Sequence, residues 1–274
     1  MKLFKYQGAG NDFIILNGAE CDFDLSPESI SRICNRRFGV GADGLIVFGP
    51  SSQYDFSMKF FNSDGSSGMM CGNGGRCIIS FASSVGIVPK SGDGRYVFEA
   101  PDGLHSGMVL SRDGKSAVVR LKMNDVHLVE PFWEGLYMNT GCPHLVLSRI
   151  SGIEAMDVAS EGPRWRHDPA FSPMGTNVDW MEIQGNRLRV RTFEKGVEGE
   201  TLSCGTGVIA AAISSYIRFG VDSPVFSHSE DGLLKCRIRT TFHNLEVEFR
   251  PSSKAPYTDI WLTGDAVEVF RAEI

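Results

Sequence analysis

Cys71-Gly72-Asn73-Gly74 and Cys204-Gly205-Thr206-Gly207 are the two stretches on which the reading of this chain turns. Each follows a strand-like run ending in Phe, FSMKFF at 56–61 and RLRVRTF at 187–193, and then a loop containing glycine. Each opens a run, 71–85 and 204–219, that is apolar on nearly all sides, carries a Ser-Ser pair and stops at Gly86 or Gly220. A helix apolar all round is wrapped by other elements rather than laid on a surface, and a glycine just past it is a stop signal.

Outward from the paired motif, the second half of the chain echoes the first. Gly10-Asn11-Asp12-Phe13-Ile14-Ile15-Leu16 is answered by Gly141-Cys142-Pro143-His144-Leu145-Val146-Leu147, 131 positions later. The CGxG pair is 133 positions apart, and Val40-Gly41-Ala42-Asp43 is matched loosely by Thr176-Asn177-Val178-Asp179 at 136. Three matches in one order at nearly one spacing predict a duplication. The fold expected is α/β (α+β), with two pseudo-symmetric halves related by a pseudo-twofold axis and the active site in the cleft between them. Further strands are expected at 13–16, 45–48, 245–250 and 266–271, with a helix from Ser26 to Phe38 that ends at Gly39.

Each motif cysteine stands at the start of its helix, where unpaired N–H groups and the helix dipole favour negative charge. A thiol there ionises more easily than a free one. The N–H groups of Gly72, Asn73, Gly205 and Thr206 suit a substrate carboxylate. An α-carbon between two such thiols could lose its proton to one and regain a proton from the other, which inverts the centre. His144 and Glu194 are candidates to take up a thiol proton, although His144 at this spacing reads equally as a loop anchor. Cys21, Cys34, Cys77 and Cys236 lack such surroundings and read as packing residues.

Other classes find less support. A net charge of −6 gives no basic face for nucleic acid or anionic lipid, and no apolar run reaches membrane-spanning length. The N-terminus has no signal-like apolar core, so a cytoplasmic location is expected. Seven cysteines without CxxC pairs, and six scattered histidines, suggest neither a disulfide framework nor a metal site. CGNG lacks the GK[ST] of a phosphate loop.

At these residues the chain resembles the diaminopimelate epimerases. The likeness includes GAGNDF at 8–13, GVGADG at 39–44, FFNSDGS at 60–66, CGNGGRC at 71–77, TGCPH at 140–144, EKGVEGETLSCGTG at 194–207 and the closing LTGDAVEVF. The resemblance implies a pyridoxal-phosphate-independent isomerase, with no cofactor, that interconverts LL- and meso-diaminopimelate for lysine and peptidoglycan synthesis. It implies two halves, each a curved, barrel-like sheet around a central helix, the last strand returning to the first half. The halves expected are residues 1–122 plus 265–274, and residues 123–264. Cys71 and Cys204 would be the acid–base pair, assisted by His144 and Glu194. Asn11, Asn62, Asn177 and Glu194 match positions that hold substrate, and a homodimer is the assembly to test. Two positions depart from the family pattern, Cys142 where Asn is usual and Lys195 where Arg is usual. Lys195 keeps the charge for a distal carboxylate but not the two-pronged geometry. A proline or hydroxyproline racemase-like enzyme, a thiol redox protein and a non-catalytic binding protein remain as alternative readings.

Overall fold

A computed structural model describes residues 1–273, and the chain divides into two compact units, Met1–Lys122 with Thr263–Ile274, and Met123–Leu262. In the first unit, β1 (Lys2–Gly8) and β2 (Asn11–Asn17) are antiparallel, and β2 runs parallel to β3 (Gly44–Gly49). Then come β4 (Phe56–Asn62), antiparallel to β3, β5 (Tyr96–Ala100), parallel to β4, and the antiparallel pair β6 (Gly103–Asp113) and β7 (Ser116–Lys122). The last strand, here β8 (Thr258–Glu273), pairs with both β1 and β7 and closes the ring. Inside it lies α2 (Gly72–Ser84), whose residues from Gly72 to Ala82 are buried. A closed sheet has no free edge, and its inward side chains fill the interior against the helix.

The second unit repeats this plan. From one edge inward run β9 (Val129–Phe132), β10 (Gly135–Asn139) and β11 (Pro143–Ser148), with β11 parallel to β12 (Asn177–Gln184). β12 is antiparallel to β13 (Arg187–Glu194), which is parallel to β14 (Leu234–Arg239), itself antiparallel to β15 (Asn244–Arg250). The parallel pairs thus fall at the same steps as in the first unit. α4 (Gly205–Phe219) packs against this sheet, with Val208 to Ser215 wholly buried.

Two expectations need correction. The first helix, α1 (Pro27–Cys34), stops four residues before Phe38. The Asn35 side chain accepts from the backbone N–H of Arg37 and Phe38 at 2.9 and 3.0 Å, forming a local turn that competes with the helix. The second concerns the duplication. The sheet registers pair Phe13 with Gly44 and His144 with Asn177, which makes Asp179 the counterpart of Ile46 rather than of Asp43. The loose match at 136 positions is therefore replaced by one at 133, the spacing of the CGxG motifs.

One helix was not anticipated. α3 (Val158–Arg166) contains Gly162 and Pro163, which read as breakers in sequence. Gly162 is there because α3 lies against β13: a Cβ would stand 2.2 Å from the Phe193 ring.

Arg36, in the turn after α1, binds Asp12 with two hydrogen bonds of 2.9 and 2.7 Å and Asp43 with one of 2.7 Å. Lys5 adds an ion pair to Asp12 at 2.7 Å. Burial works against the Asp12 charge, but the hydrogen bonds from Arg36 and Lys5 outweigh it and hold the carboxyl well below the usual carboxylate range. A depressed carboxyl stabilises the fold above its unfolded pKa of about 4, and that contribution fades as pH falls toward the folded value. Asp12→Asn is therefore expected to lower the melting temperature at pH 7. The gap to wild type should narrow progressively as the pH falls below about 4, and a gap independent of pH would contradict the ion-pair account.

Candidate active site

In the first unit Cys71 is the N-cap of α2, and its Sγ accepts from the Gly74 N–H at 3.2 Å. The first helical hydrogen bond is made by Gly75 to the Cys71 carbonyl at 2.8 Å, so the N–H groups of Gly72 and Asn73 precede it. The Asn73 side-chain Oδ1 accepts from Arg76 Nη2 at 2.8 Å, so this oxygen is taken up inside the protein. Arg76 is wholly buried and also donates to the carbonyls of Gly72 and Asp265, both at 3.3 Å. Burial lowers its pKa, and negative charge on Cys77, on Asp265 and, least, on Cys71 opposes that shift. Asn11 begins β2, and its Oδ1 is buried with no hydrogen-bond partner, an acceptor suited to an ammonium group. Asn62 ends β4, is exposed, and donates to Ser66 Oγ at 2.9 Å.

In the second unit Cys204 is the N-cap of α4, nearly buried, and the helix hydrogen bonds start with Val208 N–H to its carbonyl at 3.0 Å. The N–H groups of Gly205 and Thr206 come before that bond. The loop 140–142 closes on this end of the helix: Thr140 Oγ1 donates to the Thr206 carbonyl at 2.9 Å. Gly141 has φ +113, a conformation costly for any residue with a Cβ, and that Cβ would stand 3.4 Å from the Thr206 methyl. His144, just beyond the loop, is fully buried. Its Nδ1 lies 2.6 Å from Asp179 Oδ2 and its Nε2 lies 2.9 Å from Thr206 Oγ1. Thr206 Oγ1 is 3.3 Å from Cys204 Sγ.

Burial raises the pKa of Cys204 well above the ordinary thiol value, and the charges of Glu194 and Asp179 add to the rise. Cys142 is also raised, by burial and then by Glu194, while Lys195 acts against the shift. Glu194, Lys195 and Cys142 thus share one electrostatic neighbourhood with Cys204. Asn177 is buried and engaged: its Oδ1 accepts from the Lys195 N–H at 2.8 Å, and its Nδ2 donates to the Pro143 carbonyl at 2.9 Å. It holds Lys195 in place beside the 140–144 loop, and its Nδ2 also lies 3.5 Å from His144 Nε2.

In the second unit His144, Asn177 and Thr206 come together with Cys204 at the N-terminus of α4. In the first, Cys71 and Asn73 stand at the N-terminus of α2, Asn11 at the start of β2 and Asn62 at the end of β4. Asp179, Thr192 and Arg76 were not among the site residues singled out in the sequence. Among the described residues no group of three His, Cys, Asp or Glu side chains is placed to hold a metal ion, and no helix is long and apolar enough to cross a membrane.

A sequence profile of the diaminopimelate epimerases matches residues 3–129 and 136–254. A diaminopimelate epimerase of Flavobacterium psychrophilum is 36% identical over 276 residues, covering 100% of both chains. One of Chlorobaculum tepidum is 41% identical over 273 residues, covering 97% of this chain and 98% of its own. Among solved structures, a phenazine biosynthesis protein of the PhzF family from Bacillus anthracis shares the fold with TM-score 0.72 at 13% identity, over 100% of this chain and 98% of that one. A hydroxyproline epimerase from Agrobacterium vitis does so with TM-score 0.67 at 14% identity, over 99% and 91%.

Proposed function

This chain belongs to the diaminopimelate epimerase family, and on that premise we propose that Cys71 and Cys204 are the acid–base pair with which it epimerises diaminopimelate. The observation that carries the assignment is the repeated placement of a thiol at the N-terminus of a wrapped helix, once in each unit. Inversion needs a base for one face of the α-carbon and an acid for the other. Cys71, whose Sγ accepts an N–H at the start of α2, is suited to start as thiolate. Cys204, buried and near two carboxylates, is suited to start as thiol. In the reverse direction the roles exchange.

The N–H groups that precede the first helical bonds, those of Gly72 and Asn73 and of Gly205 and Thr206, take negative charge as it moves from the α-carbon onto the reacting carboxylate. His144 and Glu194 assist Cys204: one is hydrogen-bonded to it through Thr206, and the other acts through its charge. Asn11 Oδ1 and the Asn62 amide supply polar contacts to the substrate, while Asn177 acts by holding Lys195. Lys195 meets the distal carboxylate, with Cys142 beside it. The reading extends to a homodimer working in the cytoplasm, and sedimentation of the purified chain tests the assembly.

The deciding experiment is proton NMR of reduced protein with LL-diaminopimelate in deuterium oxide. Loss of α-protium together with appearance of the meso isomer is the expected result. Exchange with proline or hydroxyproline instead would sink the substrate assignment. In the same assay Lys195→Ala should raise KM by about 10-fold to 100-fold with kcat little changed, the loss of one charged hydrogen bond to bound substrate.

A further inference from the structure

The two units differ most sharply behind their thiols. In the first unit Phe13 pairs with Gly44, and Ile46 pairs with Phe60 across β3 and β4. Phe13 and Phe60 meet edge to face with ring centroids 5.9 Å apart. At the corresponding register positions of the second unit stand His144, Asp179 and Thr192, with Asp179 paired to Thr192 across β12 and β13. The helix glycines confirm the correspondence. A Cβ on Gly74 would meet the Ile46 and Phe60 side chains at 3.5 and 3.7 Å, and one on Gly207 would meet Asp179 Oδ1 at 2.3 Å. An apolar trio therefore satisfies this position of the fold, and the polar trio has to answer to something else, because burying a carboxylate is costly unless it is fully paired.

Its hydrogen bonds form one chain. Thr192 Oγ1 donates to Asp179 Oδ1 at 2.6 Å, and Asp179 Oδ2 faces His144 Nδ1 at 2.6 Å. A carboxylate can only accept, so His144 carries its proton on Nδ1, and Nε2 is left to accept from the Thr206 hydroxyl at 2.9 Å. Thr206 Oγ1 in turn can accept from the Cys204 thiol at 3.3 Å.

We propose that Thr206, His144 and Asp179 form a proton relay for Cys204 alone, with Asp179 as the positioning residue that fixes the imidazole and stabilises its cation. When Cys204 acts as base, its S–H proton passes to Thr206 Oγ1 as the Thr206 hydroxyl proton passes to His144 Nε2. The products are a thiolate, an intact hydroxyl and an imidazolium whose Nδ1–H faces the Asp179 carboxylate. When Cys204 acts as acid, its S–H proton goes to the α-carbon, and the imidazolium returns its proton through Thr206 to the thiolate so formed, leaving a thiol and a neutral imidazole. The relay answers a need that Cys71 does not share. Cys71 Sγ accepts the Gly74 N–H and stands in the unit with the apolar trio, while Cys204 makes no such cap bond and is nearly buried.

The proposal rests on the assignment of Cys204 as an acid–base thiol, so its test reads the thiol itself as well as turnover. Full-length reduced protein is treated with iodoacetamide at pH 7, and alkylation of Cys204 and Cys71 is followed by peptide mass spectrometry. Asp179→Asn should slow Cys204 alkylation about 10-fold or more, the loss of the imidazolium outweighing the removal of a carboxylate that opposes the thiolate, leave Cys71 within about twofold, and lower kcat about 10²-fold with KM changed less than threefold. Thr206→Val should reproduce both losses, and Thr206→Ser should keep Cys204 near the wild-type rate. Thr206→Val is a nearly isosteric change at a helix start and serves even where Asp179→Asn folds poorly. Unchanged Cys204 alkylation in Thr206→Val, or equal changes at both cysteines, would overturn the relay. Altered alkylation of Cys204 alone in a protein that epimerises no diaminopimelate would leave the relay standing and remove the substrate assignment.

Discussion

Cys204→Ser is expected to lower epimerisation by about 10⁴-fold, the upper end of what one general acid–base group supplies, and Cys71→Ser to do the same. A serine hydroxyl fits either N-cap, where serine is favoured, so the melting temperature should stay close to wild type. The two losses should be far from additive, because one proton is removed and one is returned in each turnover and both thiols are needed for every inversion. A finer result follows from the division of labour. With Cys71 intact, Cys204→Ser should still exchange the α-proton with solvent, slowly and without inversion, for the one isomer whose α-hydrogen meets Cys71. Cys71→Ser should do so for the other isomer only. The measurement is deuterium incorporation into LL- and meso-diaminopimelate, each supplied separately. Inversion at near wild-type rate in either single variant would end the two-thiol mechanism. Equal residual exchange of both isomers would end the assignment of one thiol to each face.

The paired helices and their cysteines were legible because an apolar helix opened by CGxG and closed by glycine is a local signal, repeated at one spacing. The strands around them were legible from alternation, and FSMKFF and RLRVRTF fall within β4 and β13. Asp179 was not legible as part of the site. The repeat match had set it against Asp43, one aspartate against another, when the register sets it against Ile46. The signal was present all the same. At the 133-residue spacing of the cysteines, an isoleucine in one unit becomes an aspartate in the other, and near it Phe13 becomes His144 and Phe60 becomes Thr192. A duplication read only for its identities overlooks such sites, since function in a duplicated chain lies partly in where the copies stop agreeing. Arg76 was hidden for a different reason. A buried guanidinium held by the carbonyls of Gly72 and Asp265 depends on a contact 189 residues along the chain, which no local pattern reports. The hydrogen bonds of the Asn73 and Asn177 side chains, to Arg76 and to the Lys195 N–H, were likewise reported by no pattern in the sequence.

Gly207→Ala and Gly74→Ala occupy the same turn of the two helices, and their expected consequences are opposite. At Gly74 the added methyl meets Cys71 Sγ at 3.3 Å and side-chain carbons beyond that, a crowding that a small shift absorbs. Replacing a helical glycine by alanine also restricts the unfolded chain, so this variant should be neutral or more stable by about 0.5 kcal/mol. At Gly207 the methyl would come within 2.3 Å of Asp179 Oδ1. That oxygen cannot retreat freely, because Thr192 donates to it and the other oxygen holds His144. Either the carboxylate breaks its bonds inside the protein or the start of α4 moves, carrying Cys204 with it. The expected cost is about 3 kcal/mol in folding stability, at the upper end of ordinary overpacking. A displacement on the order of 1 Å at the reacting thiol should remove a further 10²-fold or so in kcat. Urea unfolding and the exchange assay measure the two effects separately. The assignment of the clash to Asp179 can be checked with a double-mutant cycle. In an Asp179→Ala background, Gly207→Ala should lose most of its penalty, a coupling of about 1–3 kcal/mol. Additive effects would mean that Asp179 is not pinned beneath the helix. The hydrogen-bonded chain from Thr192 to Cys204 would then lose its anchor.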